Sequence, residues 1–284
     1  MELTNYSEVR ALLLRHGFRF SKSMGQNFLT AAWVPERIVE ESGIGPENGV
    51  LEVGPGVGCL TEQLSLRAGK VVAVELDSAL RPVLAETMAG RDNVEIVFAD
   101  VLKLDIPALV REKLGSLRPA VCANLPYNIT SPLLSAFIES RCFESITVMI
   151  QREVARRLCA KAGTADYGAF TVYANWHTEP KILFDVPPGC FVPQPKVTSS
   201  VIRLTQRKTP PAEVKSEELF FRIVRAAFNQ RRKTLVNALG SGVSLPKDSL
   251  ESAVLNAGFD IRVRGEALDI DGFARLTNEI YNIM

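Results

Sequence analysis

The chain has 284 residues, 46% of them hydrophobic, and a formal net charge of +1, which is enough apolar content for an α/β core and a smaller second domain. It has no apolar run near the roughly 20 residues of a membrane span and no signal-peptide pattern at its start, so we expect a cytoplasmic protein without membrane contacts. The five cysteines are scattered and lack CxxC spacing, and the only histidines are His16 and His177. This pattern argues against a disulfide framework, a metal site or His-based catalysis.

The small net charge conceals an asymmetry along the chain. Residues 36–105 carry 13 acidic and 6 basic side chains, a balance of −7, whereas residues 147–235 carry 15 basic and 7 acidic side chains, a balance of +8. The basic segment can hold a phosphate backbone, and the acidic segment can hold a cationic small molecule. Solvated charged faces would give the same split, so the asymmetry alone does not choose between these interpretations.

Strand-like and helix-like segments alternate through the first half of the chain. The segments between the strand-like runs have apolar residues at helical spacing and end in glycine, as in 59–69 and 78–90. This alternation is typical of βαβ units and predicts a Rossmann-like, mostly parallel sheet with helices on both faces. The strand-like runs are residues 50–53, 71–75, 94–99, 120–123 and 146–150.

The pattern changes after Gln151. A charged amphipathic stretch is followed by two strand-like runs, 181–189 and 198–204, which we expect to extend the sheet to seven strands as an antiparallel pair. The polar segment 206–213, with two consecutive prolines, then precedes a tail of helical periodicity. The sequence therefore predicts a ligand-binding Rossmann-like domain over residues 1–207 and a small all-helical domain over residues 208–284.

A glycine-rich turn follows the first of these strand-like runs. In LEVGPGVG (51–58), the glycines Gly54, Gly56 and Gly58 let the backbone turn sharply and approach a ligand without interference from a Cβ atom. The dinucleotide fingerprint GxGxxG would need a glycine where Cys59 stands, so a pyrophosphate site is not indicated. A structural turn would have the same sequence, so this signal is weak alone.

Acidic residues end the next two strand-like runs. Glu75 lies 21 residues after Gly54, where a carboxylate can accept both hydroxyls of a ribose, and Asp100 is placed to accept from an adenine amino group. A single acid at a strand end is more often a helix cap. Two acids in register with a glycine turn instead predict an adenosine site.

The motif NLPY (124–127) directly follows the fourth strand-like run. The exocyclic amine of adenine is a poor nucleophile because its lone pair is delocalised into the ring. The side-chain oxygen of Asn124 and a backbone carbonyl of Leu125 or Pro126 can accept its two N–H bonds, and Tyr127 can stack on the base. A polar turn that closes a strand is the alternative, but the position beyond two adenosine contacts favours methyl transfer from S-adenosyl-L-methionine.

A second aromatic residue lies in the proline-rich loop CFVPQPKV (190–197). Phe191 can cover the other face of an extruded adenine, opposite Tyr127, although a phenylalanine in such a loop is also often a core residue. Lys196, close behind it, can contact a phosphate.

The helical tail contains a basic cluster with no acid inside it: Arg222, Arg225, Arg231, Arg232 and Lys233. Such a cluster can neutralise RNA phosphates. A solvated helix face is the alternative interpretation.

In combination and order, these motifs resemble the small-subunit ribosomal RNA adenine dimethyltransferase family (KsgA-like). The resemblance runs from Lys22 to the end of the chain and rests on KSMGQNFLT (22–30), LEVGPGVG, VELD, ADVLKLD, ANLPYNITSPLL, FVPQPKVTSSVIRL and FNQRRKTLVNAL. It implies dimethylation of the N6 amine of two adjacent adenosines near the 3′ end of small-subunit rRNA, within an assembling particle. The resemblance also implies that Asn27 and Leu29 join Gly54, Gly56, Glu75, Asp100 and Asn124 as contacts of S-adenosyl-L-methionine. We expect a monomer.

The sequence is also compatible with other functions. The large-subunit rRNA methyltransferases that confer macrolide resistance usually have NIPY in place of NLPY, and mitochondrial transcription factors of this fold would carry a transit peptide. A ribosome-assembly factor whose binding role dominates is a further hypothesis. A small-molecule methyltransferase is another, against which the basic second half and the two aromatic residues argue.

Overall fold

The computed structural model describes residues 1–18 and 27–284. These residues divide by their packing into two compact units: unit 1 comprises residues 1–155 and 181–206, and unit 2 comprises residues 156–180 and 207–284. The sequence predicts the division 1–207 and 208–284, which places residues 156–180 in the first domain. In the structure these residues group with the C-terminal helices instead. That grouping reflects tertiary packing, because Val172 and Trp176 belong to the same hydrophobic core as Phe220.

The strands of the described residues form one large sheet and one small one. They are β1 (Phe28–Leu29), β2 (Asn48–Val53), β3 (Lys70–Glu75), β4 (Val94–Phe98), β5 (Arg118–Asn124), β6 (Ser145–Gln151), β7 (Thr178–Val186), β8 (Phe191–Val192) and β9 (Ser199–Gln206). The large sheet has seven strands in the spatial order β4-β3-β2-β5-β6-β9-β7. Strands β4, β3, β2, β5 and β6 are parallel to one another, and β9 is antiparallel to β6. The predicted mostly parallel seven-stranded sheet is confirmed.

The centre of this sheet is covered on both sides. All six residues of β2 are buried, and because successive side chains of a strand point to opposite faces, protein must cover each face here. The helices that precede β7 are α1 (Tyr6–Arg15), α2 (Trp33–Ser42), α3 (Cys59–Ser65), α4 (Arg81–Thr87), α5 (Ile106–Leu114), α6 (Thr130–Ser140), α7 (Arg152–Leu158) and α8 (Ala169–His177). None of the helices within the described residues is long and apolar enough to cross a membrane.

Helix α1 lies in the segment to which the sequence assigned no role. Asn5 caps it, since its side-chain oxygen accepts from the N–H groups of Ser7 and Glu8. Leu12 and Leu13 are buried in the hydrophobic core of unit 1. The first residues of the chain therefore contribute to the stability of this unit.

Residues 207–284 contain helices and turns but no strand, as the sequence predicts. Their helices are α9 (Glu217–Asn229), α10 (Leu235–Leu239), α11 (Lys247–Asn256) and α12 (Ile270–Asn282). The helical periodicity of residues 220–240 does not form one continuous helix, because Gln230 has φ −129° and ψ 53°, outside the helical region. The Leu235 N–H then donates to the Val263 carbonyl at 2.7 Å, so that part of the basic cluster lies in a turn.

Candidate active site

The glycine turn between β2 and α3 has the left-handed backbone that its sequence predicts. Gly54, Gly56 and Gly58 have φ of +69°, +60° and +95°, a region that residues with a Cβ atom rarely adopt. A Cβ atom at Gly56 would lie 3.0 Å from the ring of Phe28, and one at Gly58 would lie 2.6 Å from the Met88 Cε atom. Glycine is thus favoured for conformation at all three positions, and at Gly56 the close Phe28 ring also leaves little space for a side chain.

Glu75 ends β3 beside this turn. Its carboxylate accepts the Asp77 N–H at 2.8 Å and the Gly56 N–H at 3.2 Å. Burial raises the pKa of Glu75, and these two hydrogen bonds lower it in part because they favour the charged form. The two N–H groups fix the carboxylate against the glycine turn.

Asp100 follows β4 and caps the short helical turn 101–103. Its Oδ1 atom accepts the Leu102 N–H at 3.1 Å, and its Oδ2 atom lies 3.5 Å from the Lys103 ammonium. The helix-cap interpretation of Asp100 is therefore realised in the structure. Asp100 also lines the cavity described below, so the same side chain caps the turn and remains part of the candidate site.

The NLPY turn begins where β5 ends. The Leu125 N–H donates to the Met149 carbonyl at 3.1 Å, which ties the turn to β6. The Pro126 carbonyl accepts the Thr130 hydroxyl at 3.0 Å and the Ile129 N–H at 3.3 Å. Both lone pairs of the Pro126 oxygen are thus engaged within the turn itself.

These strand ends surround one cavity of about 200 Å³. All seven cofactor contacts predicted from the sequence line it, and so do the other three residues of the NLPY turn. The predicted residues on its wall are Asn27, Leu29, Gly54, Gly56, Glu75, Asp100, Asn124, Leu125, Pro126 and Tyr127. Residues 22–26 of the KSMGQNFLT motif lie outside the described residues.

Phe191, the predicted second aromatic contact of the target base, lies in the protein core and does not line this cavity. It is 1% exposed, belongs to the hydrophobic core of unit 1, and is not among the described residues that line the cavity. In β8 it pairs with Leu29 of β1. Its contact with a target base stays a prediction.

The predicted RNA-binding residues differ in exposure. Lys196, Arg225, Arg232 and Lys233 are exposed. Arg231 is also exposed but donates to the Glu266 carboxylate and to the Ala165 carbonyl, each at 3.2 Å. Arg222 is partly buried, and its Nε atom has no hydrogen-bond partner among the described residues.

Glu52 is a cavity residue that the sequence analysis did not single out. It is 1% exposed, and its Oε2 atom has no hydrogen-bond partner among the described residues. Burial raises the pKa of Glu52 to about 8, the Glu75 charge adds to the shift, and the neighbouring Thr61 hydroxyl offsets part of it. An acid inside the apolar strand VLEV is the sequence signal that points to it, because buried carboxylates without a partner are costly.

Similarity to known proteins covers almost the whole chain. Residues 17–280 match the family described as "Ribosomal RNA adenine dimethylase". The Ribosomal RNA small subunit methyltransferase A of Geobacillus thermodenitrificans is 45% identical over 98% of this chain and 97% of its own length. The protein of the same name from Clostridium acetobutylicum is 44% identical over 96% of this chain and 98% of its own length.

Two solved structures share the fold. The 23S rRNA methyltransferase ErmE has a TM-score of 0.70 at 29% identity and covers 89% of this chain and 99% of its own. A dimethyladenosine transferase from Plasmodium falciparum has a TM-score of 0.74 at 24% identity and covers 87% of this chain and 95% of its own. The family match, the relatives and the strand-end cavity agree, and the chain belongs to the ribosomal RNA adenine dimethylase family.

Proposed function

We propose that this enzyme transfers methyl groups from S-adenosyl-L-methionine to the N6 amine of two adjacent adenosines near the 3′ end of small-subunit rRNA, two methyl groups for each base. The observation that carries the proposal is the shared cavity: the glycine turn, Glu75 and Asp100 surround the same space as Asn124 and the NLPY turn. A cofactor and a target amine can meet only if their binding groups share one site.

The residues of the cavity fit S-adenosyl-L-methionine. The glycine turn presents backbone without Cβ atoms, and the Glu75 carboxylate, already fixed by the Gly56 and Asp77 N–H groups, is suited to accept ribose hydroxyls. The Glu75 carboxylate, when charged, favours a ligand that carries positive charge. When bound, the cofactor supplies an electrophilic methyl group on a positively charged sulfur.

Asn124 and Leu125 would hold the adenine amine. The amine has two N–H bonds, and the Asn124 side-chain oxygen can accept one of them. The Pro126 carbonyl already accepts from Thr130 and Ile129, so we assign the second acceptor to the Leu125 carbonyl. Accepting both bonds localises the nitrogen lone pair toward the methyl group. No strong base is needed, since the nitrogen becomes acidic as it gains the methyl and its proton can leave to water.

The relatives favour small-subunit rRNA as the substrate. The proteins named small subunit methyltransferase A are 44–45% identical over 96–98% of this chain, whereas the 23S rRNA enzyme ErmE is 29% identical over 89% of it. We propose that the exposed cations Lys196, Arg225, Arg232 and Lys233 contact rRNA phosphates.

The proposal is tested with labelled cofactor and immature small subunits from a methylation-deficient strain. After digestion of the rRNA, we expect labelled dimethyladenosine from the wild-type chain. The Asn124→Ala variant should give none while it still binds S-adenosylhomocysteine. Absence of dimethyladenosine with the wild-type chain, or full transfer by Asn124→Ala, would contradict the function or its mechanism.

A further inference from the structure

The phenol of Tyr127 is tied to a serine hydroxyl far away in the sequence. The Tyr127 phenol oxygen lies 2.6 Å from the Ser199 Oγ atom, a hydrogen bond in which either atom can be the donor. Ser199 is fully buried, whereas Tyr127 is partly buried and lines the cavity. The bond therefore joins a cavity residue to the interior of the sheet.

The position of Ser199 makes it a rigid anchor. It is the first residue of β9, which lies between β6 and β7 in the sheet, and it pairs with Gln151 of β6. Tyr127 follows β5, on the other side of β6. The tyrosine thus reaches across the end of one strand to a residue whose backbone is held by the sheet.

We propose that Ser199 is a positioning residue for methyl transfer: its hydroxyl holds the phenol end of Tyr127 and so fixes the place of the ring on which the target adenine stacks. This inference rests on the proposed function. Stacking requires a ring in a defined place, and the hydrogen bond restricts the χ1 rotation that would otherwise move the tyrosine ring. A base stacked on a fixed ring keeps its amine at Asn124, and a small displacement at that point is costly for transfer.

The neighbouring serine provides a matched control. Ser200 is equally buried, but its hydroxyl donates to the carboxylate of Asp185. Successive residues of a strand point to opposite faces. Ser200→Ala therefore removes a buried hydroxyl of the same strand without touching Tyr127.

The test is a double-mutant cycle with Ser199→Ala and Tyr127→Phe, assayed on immature small subunits. Either single change should lower kcat by roughly tenfold, since each removes the same hydrogen bond and Phe keeps the stacking surface. The double variant should be no slower than the slower single variant. The KM for particles and the affinity for S-adenosylhomocysteine should stay within about twofold of wild type, and Ser200→Ala should keep the wild-type kcat.

Three results would overturn the inference: a wild-type kcat in Tyr127→Phe, losses that multiply in the double variant, or an equal loss in Ser200→Ala. If Ser199→Ala does not fold, Tyr127→Phe decides alone, because it leaves the buried serine in place. Failure of the proposed function would look different. In that case the wild-type chain itself would give no dimethyladenosine, whereas failure of this inference leaves wild-type transfer intact.

Discussion

Leu29 lies directly opposite Phe191 in the antiparallel pair formed by β1 and β8. The Thr30 N–H extends this pairing, since it donates to the Cys190 carbonyl at 2.9 Å. A predicted cofactor contact and a predicted base contact thus share one two-stranded sheet. Phe28, next to Leu29, also packs against Gly56 of the glycine turn, where a Cβ atom would meet its ring.

Phe28→Ala should weaken cofactor binding as well as the fold. Phe28 is 7% exposed and lines the cavity, so its loss leaves a space beside the glycine turn and costs about 3 kcal/mol of unfolding free energy. We expect a loss of at least tenfold in affinity for S-adenosylhomocysteine, measured by calorimetry. Phe143→Ala is the control, because Phe143 is 2% exposed and packs on Phe137. A similar affinity loss in both variants would show that the effect is only general destabilisation.

Gly56→Ala should impair cofactor binding more than its backbone strain explains. The new Cβ atom would lie 3.0 Å from the Phe28 ring, at a residue with φ +60°. Gly90→Ala is the matched control, with φ +76° and no atom within 4 Å of the new Cβ. Each change should cost about 1 kcal/mol of stability from the left-handed backbone. Only Gly56→Ala should reduce the affinity for S-adenosylhomocysteine, and equal affinities of the two variants would contradict the assigned role of the turn.

The sequence predicts those parts of the site whose residues form a recognisable pattern within a short stretch of chain. Glycine spacing and acids at strand ends identify the cofactor side, because the carboxyl ends of parallel strands meet at one edge of a sheet. The burial of Phe191 has no such local signal, since a two-residue strand such as β8 has no periodicity and its burial depends on β1. The Tyr127–Ser199 bond spans 72 residues, and nothing local to either residue indicates the other. Residues 156–180 group with unit 2 through contacts such as Trp176 on Phe220, with ring centroids 4.2 Å apart, which a local pattern does not reveal.

Arg232→Gln should weaken binding to small subunits and reduce its salt dependence. Arg232 is exposed in the turn between α9 and α10, where a guanidinium can displace counterions from phosphate. The slope of log K against log salt should become shallower by roughly 0.7–0.9 for one lost phosphate contact. Arg67→Gln removes one exposed positive charge from the acidic segment and should leave the slope unchanged. Equal slopes for Arg232→Gln and the wild-type chain would show that Arg232 does not contact an rRNA phosphate.

Glu52→Gln should stabilise the protein increasingly as the pH rises from about 5 to 8. Burial raises the pKa of Glu52 from 4.5 to about 8, so between these values the unfolded chain has lost a proton that the folded chain keeps. The free energy of unfolding of the wild-type chain therefore falls with pH across this window, by about 1.4 kcal/mol for each unit of the pKa shift, and levels off above it.

Glutamine has the shape of the protonated acid and does not titrate, so the variant lacks this pH-dependent fall in the free energy of unfolding. The measurement is denaturant unfolding of both chains at pH 5, 6.5 and 8, followed by circular dichroism. Because all other titrating side chains are shared, the difference between the two chains isolates position 52. A difference that stays constant over the three pH values would mean that Glu52 is charged in the folded protein, and its place beside the buried Glu75 would then need a bound cation or water to stabilise it.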